Sequence, residues 1–291
     1  MKQLLILSGK GGTGKTTVAS ALIKLHQAKV CADCDVDAPN LHLVLSAGGE
    51  RTKSDYFGLP KALIDQKDCI QCNRCMEVCH FDAITFDGRY RIDQNACEGC
   101  GVCEFVCPTK AVALYPSVNG ELILYHGRET VFSTATLSMG SGNSGMLVSS
   151  VKKQMLSIPM ETDLAIIDGS PGIGCPVIAS LSGVDSVLVV AEPSISGFSD
   201  FTRILKTASI FQVPTLVCIN KHDTNPNQSR RIKDYCEENG IPFVGMIPFD
   251  PMAVQIVNQG KTIVEIDCPS GNATREIYLK VLGLLFRREK S

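Results

Sequence analysis

The fold of this 291-residue chain is decided by the stretch Gly9-Lys10-Gly11-Gly12-Thr13-Gly14-Lys15-Thr16-Thr17. It fits the pattern G-x-x-x-x-G-K-[ST], and it lies between an apolar run, Gln3–Leu7, and a segment of helical character, Lys15–Gln27. Glycines let successive backbone N–H groups turn inward around a phosphate chain, and the N-terminus of the following helix adds its positive end. The stretch therefore predicts a phosphate-binding loop between a strand and a helix.

Two side chains of this loop have expected tasks in binding a nucleoside triphosphate. Lys15 is expected to reach the β- and γ-phosphates, and the Thr16 hydroxyl is expected to bind Mg²⁺. A glycine-rich turn with a chance Gly-Lys-Thr sequence is the alternative, and the flanking strand and helix disfavour it. The predicted nucleotide-binding residues of the loop are Gly9, Gly11, Gly12, Thr13, Gly14, Lys15, Thr16 and Thr17.

Further apolar runs predict the rest of the fold. They lie at Leu164–Ile167, Ser186–Val190, Thr215–Ile219 and Phe243–Ile247, and segments of helical length such as Phe198–Phe211 and Asn227–Asn239 separate them. Continuous Val/Ile/Leu runs are typical of strands that are buried on both faces. Their alternation with helices predicts an α/β fold with a doubly wound, mostly parallel sheet. Two other segments are expected to be a hairpin, Glu121–Phe132, and a surface loop, Ser133–Ser144.

A cysteine-rich segment interrupts this pattern between about Tyr56 and Pro116. The run Cys-x2-Cys-x2-Cys-x3-Cys occurs twice with a period of 28 residues, and Pro108 follows the second copy. Three thiolates of such a run bind one 4Fe–4S cluster, and the fourth binds the other cluster of the pair. We expect one cluster on Cys69, Cys72, Cys75 and Cys107, and a second on Cys97, Cys100, Cys103 and Cys79.

Zinc is the alternative ligand, because paired Cys-x2-Cys motifs also form Zn–S4 sites. It accounts poorly for two identical four-cysteine runs with a trailing proline. His80 stands where the first run usually carries proline, which affects the local turn and not the ligand set. The predicted organisation is a nucleotide-binding domain made of residues 1–56 and 117–291, with residues 57–116 inserted as a small α+β domain that resembles bacterial ferredoxins.

Lys10 makes the phosphate loop a deviant one, Lys-Gly-Gly-Thr-Gly-Lys-Thr-Thr, which resembles the MinD/ParA/Mrp/nitrogenase-iron-protein family of P-loop ATPases. The resemblance implies that ATP joins two copies of the chain face to face and that Lys10 reaches the nucleotide of the facing subunit. Val30–Leu41 is similar to the second strand and switch I of that family. The resemblance implies that Asp35 orients the attacking water; Asp33 and Asp37 receive no role.

Two later segments carry the same resemblance. Ile166–Gly172 looks like the Walker B strand and switch II, which implies that Asp168 holds Mg²⁺ through water. In Asn220-Lys221-His222-Asp223, the resemblance implies that Asn220 contacts adenine. The same four residues also resemble the guanine-reading turn of GTPases, so GTP remains an alternative to ATP. The resemblance thus implies a Mg²⁺-dependent ATPase with Lys10, Lys15, Asp35 and Asp168 as its catalytic residues.

Composition limits the partners. A formal net charge of −2 shows no basic surplus for nucleic acid. The N-terminal apolar stretch is too short for a signal peptide, and no apolar run approaches the ~20 residues that span a bilayer. A cytoplasmic protein is therefore expected. The segment Ile277–Lys290 could dock on the sheet or bind a membrane, and its nearly encircling apolar positions favour docking.

The expected function combines the two modules. The chain resembles ferredoxin-containing MinD/Mrp-like ATPases, which implies that nucleotide state controls electron transfer from two 4Fe–4S clusters to an unidentified redox partner. An assembly or carrier ATPase that delivers a metallocluster to an apo-metalloprotein is the alternative. A spatial-positioning ATPase like MinD or ParA is a third, and the cysteine insert disfavours it. Cys31 and Cys34 are interpreted as buried structural cysteines and Cys175 as a packing residue, although the nitrogenase iron protein holds a cluster near its switch II.

Overall fold

The computed structural model describes residues 1–45 and 48–286, and these residues form thirteen strands and nine α-helices. The strands are β1 Lys2–Ser8, β2 Val30–Asp33, β3 Glu50–Phe57, β4 Lys61–Ile64, β5 Ile84–Phe86, β6 Tyr90–Ile92, β7 Val112–Tyr115, β8 Val118–His126, β9 Val131–Leu137, β10 Leu164–Pro171, β11 Ser186–Ala191, β12 Thr215–Asn220 and β13 Phe243–Ile247. The helices are α1 Lys15–His26, α2 Arg74–Glu77, α3 Val102–Phe105, α4 Ser144–Met155, α5 Cys175–Leu181, α6 Ile195–Ile210, α7 Pro226–Glu238, α8 Pro251–Asn258 and α9 Pro269–Leu285.

Nine of these strands form one large sheet in the order β13-β12-β11-β1-β10-β2-β9-β8-β3. The pairs from β13 through β9 are parallel, and β8 pairs antiparallel with both β9 and β3. Every apolar run that was predicted to be a strand of the parallel sheet is one. The predicted α/β fold with a large, mostly parallel sheet is therefore confirmed.

The sheet buries a core on each of its faces, as a doubly wound fold requires. Side chains alternate along β1, so Leu5 and Leu7 pack with α4, α6 and α7, whereas Leu4 and Ile6 pack with α1 and α9. Val281 of α9 is fully buried in the second core. The docking interpretation of the C-terminal segment is thus confirmed through Leu285. Residues 287–290 of that segment lie outside the described residues.

The segment Ser133–Ser144 corrects one prediction. Its first half belongs to β9, where the residues from Val131 to Ala135 are buried, and only residues 138–143 form a loop before α4. Ser133 fits this interior strand because α4 supplies hydrogen-bond partners for its hydroxyl. The Ser133 hydroxyl donates to the carbonyl of Val151 at 2.9 Å and lies 2.8 Å from Oε1 of Gln154.

The cysteine-rich segment leaves the large sheet after β3 and returns to it at β8. Because β3 and β8 are antiparallel neighbours, Phe57 and Val118 lie opposite each other and bring the two ends of the segment together. Between them, β4 pairs with β7, β5 pairs with β6, and the short helices α2 and α3 lie within the first and second cysteine runs. These elements share a small apolar core of their own, which includes Ala62, Ile84 and Val112.

A helix that crosses a bilayer needs about 20 mostly apolar residues. No helix within residues 1–45 and 48–286 combines this length and apolar character.

Candidate functional site

The phosphate loop follows β1 and opens a cavity of about 370 Å³ at the carboxyl edge of the sheet. Gly12 and Gly14 have φ angles of 78° and 89°, a backbone conformation that glycine adopts without strain. A Cβ atom on Gly14 would also collide with the Asn220 side chain. The predicted nucleotide-binding residues from Gly11 to Thr17 all line this cavity, and Asn220 lines it as well.

Lys15 and Asp168 form a buried ion pair beneath the phosphate loop. Their Nζ and Oδ1 atoms are 2.5 Å apart, and Asp168 is fully buried at the end of the β10 apolar run. The second oxygen of Asp168, Oδ2, is buried and has no hydrogen-bond partner among the described residues. An unpaired carboxylate oxygen of this kind is a suitable ligand for Mg²⁺ or for water bound to it. Thr16, which lines the same cavity, is the other predicted magnesium ligand.

Asp33 organises the segment that was predicted to be switch I. Its Oδ1 accepts a hydrogen bond from the backbone N–H of Asp35, and its Oδ2 accepts from the N–H groups of Asn40 and Leu41 at 3.0 and 2.9 Å. Asp35, the predicted water-positioning residue, is half-buried and lines the nucleotide cavity. Asp37 is exposed. The sequence assigned no role to Asp33, and the structure gives it a structural one.

Three carboxylates share this small region, and their pKa values reflect it. Burial, and then the nearby charge of Asp168, raises the pKa of Asp33 to about 7. Burial also raises the pKa of Asp35, against the opposing effect of Lys15. Burial alone would lower the pKa of Lys15, but Asp168 outweighs it and raises that pKa above its ordinary value. Lys15 therefore stays positively charged. The three carboxylates place negative charge close together, and a metal ion bound to the phosphates would reduce the repulsion between them.

Lys10, the predicted trans-acting lysine, has partners within its own chain. Its Nζ lies 2.8 Å from Oε2 of Glu192 and donates to the Ser194 hydroxyl at 3.0 Å. Burial would raise the pKa of Glu192, but Lys10 and Lys221 lower it. The side chain of Lys10 is nevertheless 32% exposed. Glu192 was not predicted from the sequence, although it directly follows a buried strand at the carboxyl edge of the sheet, where α/β folds bind their ligands.

The Asn220-Lys221-His222-Asp223 turn supports the phosphate loop from the other side. Asn220 donates to the carbonyl of Thr13 at 2.7 Å, and Nζ of Lys221 donates to the carbonyl of Gly12 at 2.9 Å. Oδ1 of Asp223 accepts from the N–H of Phe249 at 2.7 Å, which fixes the segment before α8. In the guanine-reading arrangement this carboxylate would face the base, so its bond to the backbone favours adenine.

The eight clustered cysteines line two separate small cavities. The Cys69 set, formed by Cys69, Cys72, Cys75 and Cys107, surrounds one of them. The Cys97 set, formed by Cys79, Cys97, Cys100 and Cys103, surrounds the other. In each set the fourth cysteine of one run lies with the first three of the other run, and all eight are free thiols. No group of three or more His, Cys, Asp or Glu side chains in residues 1–45 and 48–286 is close enough to hold a single metal ion.

The loop of residues 138–143 lies between the cysteine-rich segment and the two segments that were predicted to be switches. Just before the loop, the N–H of Leu137 donates to the carbonyl of Val36, in the predicted switch I, at 2.9 Å. At its far end, a Cβ atom on Gly142 would lie 2.6 Å from a carboxylate oxygen of Glu98, the neighbour of Cys97. A Cβ atom on Gly145, in the first turn of α4, would lie 3.0 Å from the carbonyl oxygen of Cys175, just after the predicted switch II.

The remaining cysteines differ in environment. Cys31 and Cys34 are buried in opposite cores of the sheet, as expected for structural cysteines. Burial raises the pKa of both thiols to about 12. Cys175 is the first residue of α5 and is exposed, which contradicts its interpretation as a packing residue. The helix packs through other side chains, Val177 and Leu181, because Cys175 lies on the opposite face.

The fold and the site together define a P-loop ATPase, and comparison with known proteins identifies its family. Residues 4–263 match the model of the CobQ/CobB/MinD/ParA nucleotide-binding domain, and the chain belongs to this family. An uncharacterized protein of Methanocaldococcus jannaschii is 35% identical over 285 residues, which cover 96% of both chains.

More distant relatives span the same length. An iron-sulfur cluster carrier protein of Pyrococcus furiosus is 23% identical over 97% of this chain and 86% of its own length. A septum site-determining protein MinD from Buchnera aphidicola is 24% identical over 96% of this chain and 90% of its own length. Among solved structures, MinD of Pyrococcus horikoshii complexed with Mg-ADP shares the fold, with a TM-score of 0.57 and 18% identity over 100% of this chain and 99% of its own.

Proposed function

We propose that this ATPase holds two 4Fe–4S clusters and couples its nucleotide state to one-electron transfer by them. The observation that carries the proposal is the interleaving of the Cys69 set and the Cys97 set around two cavities. Runs that are separate in sequence exchange their fourth cysteine, which is the arrangement that two-cluster ferredoxins use. Residues 57–116 would then be a ferredoxin-like domain inserted in the nucleotide-binding domain.

The cavities fit such clusters in their chemistry. Each presents four free thiols, and apolar side chains such as Ile64, Val112, Ala62 and Leu114 complete the lining. Thiolates are the ligands of iron–sulfur clusters, and an apolar surround limits access of water to them. When bound, each cluster would take one electron from a low-potential donor and pass it to an acceptor. Zinc remains the competing occupant.

The nucleotide site supplies the other half of the proposal. Backbone N–H groups of the phosphate loop and the Lys15 ammonium would hold the β- and γ-phosphates, and Thr16 and Asp168 would hold the Mg²⁺ ion. Asp35 would orient the attacking water. Lys10 of a second copy would stabilise charge that develops during transfer, as an arginine finger does in other ATPases. A dimer that forms on ATP binding follows from this role of Lys10.

The loop of residues 138–143 is the proposed link between the two halves. It is attached to switch I through Leu137, approaches Glu98 in the Cys97 run, and leads into α4, which packs on the end of switch II through Gly145. A movement of either switch on hydrolysis would therefore displace residues beside one set of cysteines. This proximity supports coupling between nucleotide state and cluster.

A cluster carrier is the second candidate function. The likeness to the iron-sulfur cluster carrier protein of Pyrococcus furiosus over 97% of this chain favours it. Cys72 and Cys100 are exposed, but one cysteine of each set argues the other way, because Cys75 and Cys97 are only 8% and 7% exposed and belong to the small core of the insert. A cluster embedded in a core is suited to being retained. A carrier must release its cluster.

Metal analysis of anaerobically purified protein tests the proposal. We expect about eight iron and eight sulfide per chain, because each set of four cysteines holds one cluster. Serine substitutions in one set, Cys72→Ser with Cys75→Ser, should remove about half of both, whereas Cys236→Ser, at a buried cysteine of the nucleotide domain, should remove none. Two equivalents of zinc without iron would exclude the redox function.

Transfer to an acceptor separates the two candidates. Loaded protein is mixed with an apo-ferredoxin in the presence of ATP, and the iron content of both proteins is measured after their separation. Retention of iron, together with a nucleotide-dependent rate of electron transfer to an oxidised acceptor, supports the redox function. Movement of iron to the apo-protein supports the carrier function instead.

A further inference from the structure

Lys61, the first residue of β4, is a buried cation inside the cysteine-rich segment. It is 6% exposed, and its Nζ donates to the backbone carbonyl of Cys97. In the part of the chain that the structure describes, no carboxylate forms an ion pair with it. A buried ammonium is costly unless an anion is near it. The carbonyl of Cys97 is a dipole and not a counter-charge, so the environment of Lys61 lacks an anion that a bound cluster would supply.

The cysteine-rich segment is an internal duplication, and only one of its two halves has a buried cation at the position of Lys61. Shifted by the 28-residue period, Lys61-Ala-Leu-Ile-Asp-Gln aligns with Arg89-Tyr-Arg-Ile-Asp-Gln. Arg89 therefore corresponds to Lys61, but it is exposed. Solvent and salt screen an exposed charge much more than a buried one. The two sets of cysteines are thus equivalent in sequence and different in electrostatic surroundings.

We infer that Lys61 is a positioning residue that raises the reduction potential of the cluster on the Cys97 set above that of the cluster on the Cys69 set. The inference rests on the proposed function, because it requires both clusters. A 4Fe–4S²⁺ cluster with four thiolates has a charge of about −2, and taking up one electron makes it about −3. A fixed positive charge stabilises the more negative state, so reduction becomes easier beside Lys61.

Other groups near the two sets do not cancel this difference. Glu98 lines the Cys97 cavity, but it is partly exposed and its carboxylate lies toward Gly142. Arg74 lines the Cys69 cavity and is exposed, so its charge is screened as well. The sulfur of Cys107 lies 3.8 Å from the Thr109 hydroxyl and also accepts from the backbone N–H groups of Thr109, Ala111 and Val112, and these neutral donors have a weaker effect than a buried charge. The buried ammonium therefore decides the order of the potentials.

This order has a functional consequence. With one electron in the protein, the electron would reside mainly at the Cys97 set. That set is the one whose neighbours Asn95 and Glu98 contact the loop of residues 138–143. The electron would therefore be stored at the cluster that faces the nucleotide switches, and the Cys69 set would form the outer site.

The test is a potentiometric titration with dithionite, monitored by EPR, of the iron-loaded full chain and of Lys61→Met. The wild-type protein should show two separate one-electron steps. In the variant the higher step should move down, with a fall in the equilibrium constant for reduction of about tenfold, which is 59 mV for one electron. The lower step should stay in place. Lys61→Arg, which keeps the charge, should restore the wild-type separation.

Arg89→Gln is the matched control, because it removes the corresponding cation on the exposed side of the duplication, and both steps should stay in place. Lys61→Gln covers the case in which Lys61→Met does not keep its iron, because it is neutral and retains a hydrogen-bond donor for Cys97. Iron-loaded neutral variants with both steps unchanged, or with both shifted equally, would overturn the inference. So would loss of iron in every neutral variant, because Lys61 would then hold the cluster instead of setting its potential. A wild-type protein without iron would refute the proposed function itself.

Discussion

Lys10 is held by an anion of its own chain, Glu192, yet it is the residue proposed to act on a second copy. Lys10 and Glu192 are both partly open to solvent, and ion pairs at a protein surface contribute only about 0.2–1 kcal/mol, so the pair can be exchanged for a nucleotide phosphate at little cost. At 32% side-chain exposure, Lys10 is accessible to a partner. The internal contact is therefore compatible with a role in the facing subunit.

The Lys10→Ala substitution should abolish ATP-dependent dimerisation and lower ATP turnover by on the order of 10³, because a cation that offsets transition-state charge is lost. Turnover and sedimentation with and without ATP measure the two effects. Lys24→Ala, at an exposed lysine of α1, is the control and should change neither. Iron content should stay the same in both variants, and an unchanged turnover rate in Lys10→Ala would refute catalysis by the facing subunit.

Asp33 makes the stability of the chain depend on pH. In the unfolded chain its carboxyl loses its proton near the ordinary pKa of about 3.9. In the folded chain burial, and then Asp168, raises that pKa to about 7. Between these two values the folded state binds more protons than the unfolded state, so the contribution of Asp33 to stability is fully present below about pH 4 and is lost as the pH rises through 7.

Denaturant unfolding between pH 4 and 8 measures this effect. The free energy of unfolding of the wild type, relative to that of Asp33→Asn, should fall as the pH rises across this window, because the variant carries no carboxyl at this position. A constant offset is also expected, since the amide cannot accept all three backbone hydrogen bonds. Asp37→Asn, at the exposed neighbour, should run parallel to the wild type. Parallel curves for Asp33→Asn would contradict a raised pKa.

At the scale of elements, β1 and the strands from β10 to β13 were predictable, whereas most of β9, which is also a parallel strand, was not. The strands from β10 to β13 are continuous apolar runs, because each is buried on both faces of the sheet, and such runs are visible in the sequence. In β9, the polar residues Ser133 and Thr134 mask a buried strand, and the burial of Ser133 depends on α4, which comes later in the chain. Hydrogen bonds from a packed helix are a tertiary effect that local pattern does not contain.

The candidate sites divide in the same way. The phosphate loop and the two cysteine runs are contiguous motifs, so their residues could be named from spacing alone. The residues that contact these motifs could not be named from the sequence. Glu192, which binds Lys10, is distant in sequence, and so is Cys97, whose carbonyl accepts from Lys61. In the sequence, a lysine at the start of a strand is expected to be exposed to solvent. Its burial becomes apparent only when the fold shows that another segment covers it.

For the whole molecule, the proposal requires that the nucleotide site and the cysteine-rich segment act as one system. The loop of residues 138–143 and α4 supply the contiguous contacts through which a switch could reach the Cys97 set. Contact alone does not establish coupling; a change at one site must alter an equilibrium or a rate at the other. Nucleotide-dependent access of a chelator to iron is such a measure.

The rate of iron removal by a chelator should differ between protein with ADP and protein with a nonhydrolysable ATP analogue, by roughly fivefold or more. Gly145→Val should reduce this difference without changing iron content, because a Cβ atom there would lie only 3.0 Å from the carbonyl oxygen of Cys175 and the valine side chain would push α4 away from it. Gly283→Val is the control, since a Cβ atom at this helical glycine of α9 meets nothing within 4 Å. Equal removal rates in both nucleotides for the wild type would mean that the switch and the cysteine segment are independent. A difference that persists in Gly145→Val would place the coupling on a path other than α4, and the bond between Leu137 and switch I would then be the next contact to break.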